Sequence, residues 1–182
     1  MTKILGISGA LRKASTNTGL LRELKSMAPG HVEFDIATLH GIPLYDGDEE
    51  EAHGKPQSVK DLDTRIRAAD GVIFGCPEYN FSIPGVLKNA TDWLSRGSNP
   101  LARKPVGVMG ASAGPLGTGR AQYHLRQNLQ GLDTVAMPKP EVFVGNAPGK
   151  FDAEGILTDA ATRAVLAKWL VEFQAWVQAT KR

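Results

Sequence analysis

The chain has 182 residues, of which 42% are hydrophobic and 22% charged, values that are typical of a globular protein. Its 21 lysines and arginines and 19 aspartates and glutamates give a net charge of +2. The basic residues form no run, which argues against nucleic-acid binding. There is no apolar stretch of membrane length, and the N-terminus does not resemble a secretory signal. We therefore expect one cytoplasmic domain, 1–182, that binds neither nucleic acid nor a membrane.

The cysteine and histidine content limits disulfide and metal chemistry. Cys76 is the single cysteine, so an intramolecular disulfide is impossible, and it is interpreted as a core residue at a strand end. The four histidines lack metal-ligand spacing. The acidic cluster 46–51 is interpreted as a solvated surface in preference to a metal site. We predict no metal.

Apolar runs typical of strands alternate with helical patterns along the chain. The runs are 4–7, 32–36, 71–75, 106–109 and 142–144. Apolar residues at helical spacing predict helices near 20–27, 59–69, 86–94, 125–132 and 165–177. The connection 38–56 has neither period and is predicted to be a surface excursion. This alternation is typical of an α/β protein.

The strand patterns also indicate an order within the sheet. Residues 31–36 alternate polar with apolar, as an edge strand does, whereas the first, third and fourth runs are almost wholly apolar, as central parallel strands are. We predict a five-stranded parallel sheet in the order 2-1-3-4-5, in a flavodoxin-like three-layer sandwich. Its ligand crevice would lie at the carboxyl ends of strands one and three.

The loop after the first strand carries hydroxyl, amide and guanidinium groups ahead of a helix. They belong to Arg12, Ser15, Asn17 and Thr18. A helix N-terminus with such donors predicts an anion site, although helix capping is the alternative for any single hydroxyl or for the amide. The loop lacks both the P-loop ending and the dinucleotide-site glycines. Its donors suit a terminal monophosphate, such as that of FMN.

The loop after the third strand combines two aromatic rings with polar groups. It contains Pro77, Glu78, Tyr79, Asn80 and Phe81. Pro84 fits the first position of the next helix, so the loop is held at both ends. Backbone groups with fixed directions suit the polar edge of an isoalloxazine ring, and Tyr79 and Phe81 would supply apolar contact. Ordinary packing is the alternative for both rings, and a bond to the backbone is favoured for Glu78.

The loop after the fourth strand begins with small residues, Ser112, Ala113 and Gly114, which let a ligand approach the backbone. In a parallel sheet the loops after strands one, three and four leave from the same edge. We therefore expect these three loops to form one site.

The chain resembles the NADPH-dependent FMN reductase family, in the branch that includes bacterial chromate and quinone reductases. The motifs are Gly9-Ala10-Leu11-Arg12 with Ser15 and Asn17, Pro77-Glu78-Tyr79-Asn80 with Pro84-Gly85, Leu87-Lys88-Asn89-Ala90 with Asp92-Trp93, and Ser112-Ala113-Gly114 followed by Arg120-Ala121-Gln122.

The resemblance implies a flavodoxin-like enzyme with non-covalently bound FMN. It would take a hydride from NADPH or NADH and pass electrons to a small-molecule acceptor (a quinone, a free flavin or chromate) by a ping-pong mechanism. The phosphate would lie at Arg12, Ser15, Asn17 and Thr18, and the ring along 77–81 and against 112–114. Because the flavin carries the chemistry, no catalytic acid, base or nucleophile is expected.

The resemblance also bears on assembly and on one departure from the family pattern. Lys88, Asn89, Asp92 and Trp93 follow the loop on the next helix, outside the crevice, and are interpreted as structural or interfacial. Similar proteins form homodimers or homotetramers, so Trp93, Arg120 and Tyr123 are expected to face a partner subunit. The family often has serine where this chain has Ala10; the lost contact costs about 1 kcal/mol, and the backbone N–H would remain. The alternatives are a flavodoxin-like electron-transfer or FMN-binding module without NAD(P)H activity, and a regulatory nucleotide-binding domain without flavin.

Overall fold

Strands and helices alternate in the computed structural model, which describes residues 1–180. The strands are β1 Thr2–Ser8, β2 Val32–Ala37, β3 Gly71–Gly75, β4 Pro105–Ala111, β5 Val135–Ala136 and β6 Val142–Val144. The helices are α1 Thr16–Ser26, α2 Gly47–His53, α3 Gln57–Ala68, α4 Gly85–Ser95, α5 Gly119–Gly131 and α6 Ala160–Thr180. A short 3₁₀ turn, Ala147–Gly149, follows β6.

The sheet is parallel, and its order β2-β1-β3-β4-β5 confirms the predicted flavodoxin-like arrangement. The predicted number of strands is corrected, because two short strands share the fifth place. β5 pairs with the start of β4, at Pro105, and β6 pairs with its end, from Met109 to Ala111. Pro138 and Pro140 lie between the two strands. Proline lacks the N–H that a continuous ladder requires, which explains the interruption.

Apolar clusters cover both faces of the sheet and make the fold three-layered. On one face α1 and α6 contribute Leu20, Leu24 and Phe173, and on the other α3 and α4 contribute Ile66 and Leu87. None of the helices within residues 1–180 has the length and apolar character needed to cross a bilayer.

The connection 38–56 contains α2, which the sequence pattern did not predict. The Asp46 side chain caps this helix by accepting the Asp48 N–H at 2.9 Å. Acidic residues fill the first turn, where the helix dipole favours them. The helix buries none of its own residues, so it shows no apolar period.

Trp93 and Asn89 hold this connection against α4. Trp93 is only 1% exposed, and its Nε1 donates to the Pro43 carbonyl at 2.9 Å. Asn89 donates to the same carbonyl at 2.8 Å and accepts the Tyr45 N–H at 2.8 Å. Trp93 and Asn89 are therefore structural, which is one of the two roles considered for them. The expectation that Trp93 faces a partner subunit is wrong, because its ring is buried within this chain. Nearby, Lys88 forms a surface ion pair with Asp92.

Candidate functional site

The loops predicted to form a site do meet at the carboxyl edge of the sheet. The Gly9 N–H donates to the Gly75 carbonyl, linking the ends of β1 and β3, and the Cys76 N–H donates to Met109 in β4, each at 2.8 Å. The Ser112 N–H donates to Val144 of β6 at 3.0 Å. The loops after β1, β3, β4 and β6 are thus neighbours along one edge.

Three of the four side chains predicted to hold a phosphate are buried and bonded within the chain. Ser15 caps α1 and accepts the Thr18 N–H at 3.4 Å, and Thr18 Oγ1 lies 2.7 Å from Ser8 Oγ. The Asn17 amide donates to the Ala111 carbonyl and accepts the Ala111 N–H, both at 2.9 Å. Asn17 therefore uses its side chain to fasten α1 to the end of β4.

Arg12, the fourth predicted residue, is exposed and borders a cavity of about 430 Å³. Ala14 and Thr16 line the same side of this cavity, at the start of α1. The amides of Thr16 and Asn17 lie in the first helical turn, where no intrahelical acceptor is available to them. A guanidinium beside such amides is a donor set that fits a phosphate.

Ala10 does not offer the backbone donor that the sequence indicated. Its side chain is buried, and its N–H points to Ser8 Oγ at 3.3 Å. Ser8 Oγ is also within 3.3 Å of the Ala10 carbonyl. Residue 10 is therefore part of the packing beneath the loop.

The loop after β3 ends in a tight two-residue turn that exposes both aromatic rings. Tyr79 and Ser82 exchange backbone hydrogen bonds of 3.0 Å, and Asn80 and Phe81 have φ of 49° and 66°. Two successive positive φ values define a type I′ turn, which usually contains glycine. Tyr79 is 53% exposed and Phe81 64%, so neither ring packs in the core. Pro84 is the N-cap of α4, one position before the predicted one.

Glu78 connects this turn to the start of α5. Its side chain is 6% exposed, and its carboxylate accepts hydrogen bonds from the Arg120 guanidinium at 2.6 Å and from the Ala121 N–H at 3.2 Å. The Arg120 guanidinium also lies 3.8 Å from the centroid of the Phe81 ring. A second link joins Ser82 Oγ and His124 Nδ1 at 3.0 Å. The carboxylate of Glu78 thus has the structural role that was favoured for it, but the backbone N–H it accepts belongs to α5 and not to its own loop, and the bond to Arg120 was not predicted.

Cys76, just before this loop, has no access to a ligand. It is fully buried, and its thiol lies 3.4 Å from the Pro77 carbonyl, to which it donates. Burial, with a smaller contribution from Glu78, raises the pKa of Cys76 to about 12. The thiol therefore stays protonated, and its interpretation as a strand-end core residue is confirmed.

The loop after β4 is held by a segment that the sequence reasoning missed. Ala147 donates to the Ser112 carbonyl at 3.0 Å, and Asn146 donates to Gly114 at 3.2 Å. Ser112 Oγ bonds to the Gly117 carbonyl, while Ala113 and Gly114 are exposed. The cavity beside Arg12 extends along this segment to residue 153. The segment after β6 could have been predicted from its position, because it follows the last parallel strand and so begins at the same carboxyl edge of the sheet.

Among residues 1–180 there is no group of three or more histidine, cysteine, aspartate or glutamate side chains that could hold an ion.

Comparisons with known proteins agree with the motifs. Residues 2–149 match the family described as NADPH-dependent FMN reductase. The chain is 46% identical over 177 residues to an NAD(P)H-dependent FMN reductase of Pseudomonas aeruginosa, covering 97% of this chain and 95% of that one. It is 42% identical over 182 residues to a quinone reductase of Escherichia coli, covering 98% and 97%.

A solved structure extends the agreement to the fold. FerB, a flavoenzyme NAD(P)H:(acceptor) oxidoreductase from Paracoccus denitrificans, superposes with a TM-score of 0.89 at 33% identity, and both chains are covered completely. The family resemblance predicted from the motifs is confirmed, and it favours an enzyme over an electron-transfer module without NAD(P)H activity. The chain belongs to the NADPH-dependent FMN reductase family and is an FMN-dependent NAD(P)H oxidoreductase.

Proposed function

We propose that this oxidoreductase passes electrons from NADPH or NADH, by way of bound FMN, to quinones, with free flavins and chromate as further acceptors. The observation that carries the proposal is the placement of exposed Arg12 and the start of α1 at the same sheet edge as the exposed Tyr79–Phe81 turn. The relatives named as quinone reductases support the choice of acceptor.

The phosphate of FMN is assigned to the start of α1. Arg12 would provide a charge-assisted hydrogen bond, and the first-turn amides of α1 would provide further donors. The hydroxyls of Ser15 and Thr18 would add contacts, since a hydroxyl can donate and accept at the same time. Asn17 would act by keeping α1 in place through Ala111.

The isoalloxazine ring is assigned to the two neighbouring loops. Pro77, Glu78, Tyr79, Asn80 and Phe81 would present backbone groups and the two exposed rings. Ser112, Ala113 and Gly114 would form the opposite side, where small residues permit a close approach to the backbone.

The chain needs no acid or base of its own under this proposal. FMN, when bound, supplies both hydride acceptance and electron donation. Glu78 is held by Arg120 and the Ala121 amide, and Cys76 is a buried neutral thiol, so neither is assigned a proton or a nucleophilic step. The residues of the site bind, orient and shield.

The same proposal extends to assembly and location. Residues 1–182 form one FMN-binding domain, and the chain assembles as a homodimer or homotetramer through the surface that contains Arg120 and Tyr123. Tyr123 is exposed, and its ring lies 6.3 Å from that of Phe143, which is also exposed. A light-scattering mass equal to one chain would contradict the assembly. A cytoplasmic location fits the single cysteine and the use of NAD(P)H.

Steady-state kinetics test the ping-pong mechanism. Initial rates are measured with NADPH varied at several fixed concentrations of a benzoquinone, and again with NADH. One crevice used in turn by donor and acceptor predicts parallel double-reciprocal lines. Lines that intersect would contradict the ping-pong order, and the absence of quinone-dependent NAD(P)H oxidation would contradict the assigned acceptor. The matched control is the apoprotein, which should be inactive until FMN is added.

A further inference from the structure

A hairpin before α6 packs against the loop assigned to the phosphate. Phe151 and Leu157 pair as antiparallel residues, and the Asp152 N–H donates to the Ile156 carbonyl at 3.0 Å. The Asp152 carboxylate accepts the N–H groups of Glu154 at 3.1 Å and Ile156 at 2.8 Å. Phe151 and Leu157 are buried in the core. The 151–157 hairpin is thus an ordered element fixed at its base.

The tip of this hairpin touches α1 at Gly19 and the end of the preceding loop at Ala14. A Cβ on Gly19 would lie 2.1 Å from the Gly155 carbonyl oxygen. A Cβ on Gly155 would lie 2.8 Å from the carbonyl carbon and oxygen of Ala14, and Gly155 has a φ of +76°. The two backbones therefore approach as closely as glycine alone permits, at the first turns of α1.

An ion pair fastens the base of the same hairpin to α1. Arg163 donates to the Glu23 carboxylate at 2.6 Å and to the Leu157 carbonyl at 3.0 Å. The Glu23 side chain is 11% exposed, so this pair is partly shielded from water. The hairpin is connected to α1 at its tip and at its base.

The hairpin also borders the cavity into which the phosphate is assigned. Arg12, Ala14 and Thr16 line one side of this cavity, and Phe151, Asp152 and Ala153 line another. Any displacement of the hairpin would therefore change the space beside Arg12 and release the start of α1.

We propose that the 151–157 hairpin is a positioning element for the phosphate of FMN, acting through the contact between Gly155 and the start of α1. This inference rests on the proposed phosphate site. With the hairpin in place, the amides of the first turn of α1 keep one direction. Less conformational freedom would then be lost when a phosphate binds to these donors.

Flavin binding to the apoprotein tests this role, with riboflavin as the comparison because it lacks the phosphate. Kd values for FMN and riboflavin are measured by quenching of flavin fluorescence, for the natural protein and for Gly155→Ala. We expect the Kd for FMN to rise about tenfold, equivalent to one misaligned charge-assisted hydrogen bond, and the Kd for riboflavin to stay the same. Gly30→Ala is the control, since a Cβ there meets no atom within 4 Å.

A merely structural role would change the unfolding temperature and either leave both Kd values unchanged or raise them together, and each of these results would overturn the proposal. If Gly155→Ala does not fold, the Kd values for FMN and riboflavin are compared in the same way for Arg163→Met. Its control is Lys168→Met, which changes an exposed residue on the same helix. A natural apoprotein that binds riboflavin and FMN equally, or neither, would instead contradict the proposed phosphate site itself.

Discussion

At the scale of single residues, the site separates side chains that can meet a ligand from those that support them. Arg12 is exposed beside the cavity, whereas both polar atoms of the Asn17 side chain are hydrogen-bonded to the backbone of Ala111. The sequence identified both residues by type and by their place before a helix. It could not assign their separate roles, because the partner of Asn17 lies in a strand remote in the chain and is chosen by the fold.

Replacement of Arg12 tests the phosphate assignment. Arg12→Ala removes a charge-assisted contact of about 1.5–3 kcal/mol, so the Kd for FMN should rise by at least tenfold. The Kd for riboflavin should stay the same, because riboflavin has no phosphate. The control is Lys13→Ala, which removes an exposed charge next to Arg12. Equal FMN affinities for Arg12→Ala and the natural protein would refute the assignment.

The buried thiol of Cys76 makes stability depend on alkaline pH. Its pKa is raised to about 12 in the folded protein, chiefly by burial, against about 8.5 when the chain is unfolded. A raised pKa contributes stability that is fully present below the unfolded value and is lost as the pH rises toward the folded value. The free energy of unfolding should therefore fall above about pH 8.5, by up to about 1.4 kcal/mol per pH unit from this group.

Urea unfolding from pH 8 to pH 10 checks this dependence against Cys76→Ala. The variant should be less stable at pH 8, because it leaves a small cavity, yet lose less stability over the interval. Parallel pH profiles for the two proteins would show that the thiol has the same pKa in both states.

At the scale of elements, apolar periodicity predicted most strands and helices but not the irregular ones. The run 71–75 is apolar throughout and is a buried strand with the predicted bounds. α2 was not predicted because it buries no residue. β6 has the bounds of the predicted run 142–144, but the two-residue strand β5, separated from it by Pro138 and Pro140, was not predicted. The type I′ turn at Asn80 and Phe81 escaped as well, since its sequence lacks the usual glycine.

The link between Glu78 and α5 gives a prediction about the turn after β3. Glu78→Ala removes the bonds to Arg120 and the Ala121 amide that hold the turn, at a cost of about 1–2 kcal/mol. If the turn positions the ring, the Kd values for FMN and riboflavin should rise together, about fivefold to thirtyfold. This differs from Arg12→Ala, which should change FMN alone.

Fluorescence titration with both flavins measures the effect of Glu78→Ala. Lys88→Ala is its control, because it breaks the Lys88–Asp92 ion pair on the outside of α4. Unchanged riboflavin binding in Glu78→Ala would show that the turn does not need this link to meet the ring.

At the scale of the whole molecule, the strand order brings every unusual loop to one edge. The alternating pattern of 31–36 indicated that β2 is an edge strand, and together with the apolar first, third and fourth runs it fitted the flavodoxin-like order 2-1-3-4-5, which the sheet has. The contribution of the 151–157 hairpin was beyond the sequence pattern. Gly19 and Gly155 are far apart in the chain, and their close contact depends on the fold, so neither glycine stands out in the sequence.

We propose that one crevice holds FMN and exchanges electrons with NAD(P)H and a quinone. Anaerobic mixing of the FMN-loaded protein with one equivalent of NADPH, followed by a benzoquinone, tests this exchange by flavin absorbance. We expect rapid loss of the yellow flavin absorption with NADPH and its full return with the quinone. Absorption that persists with both NADPH and NADH, or that stays bleached after the quinone is added, would contradict it.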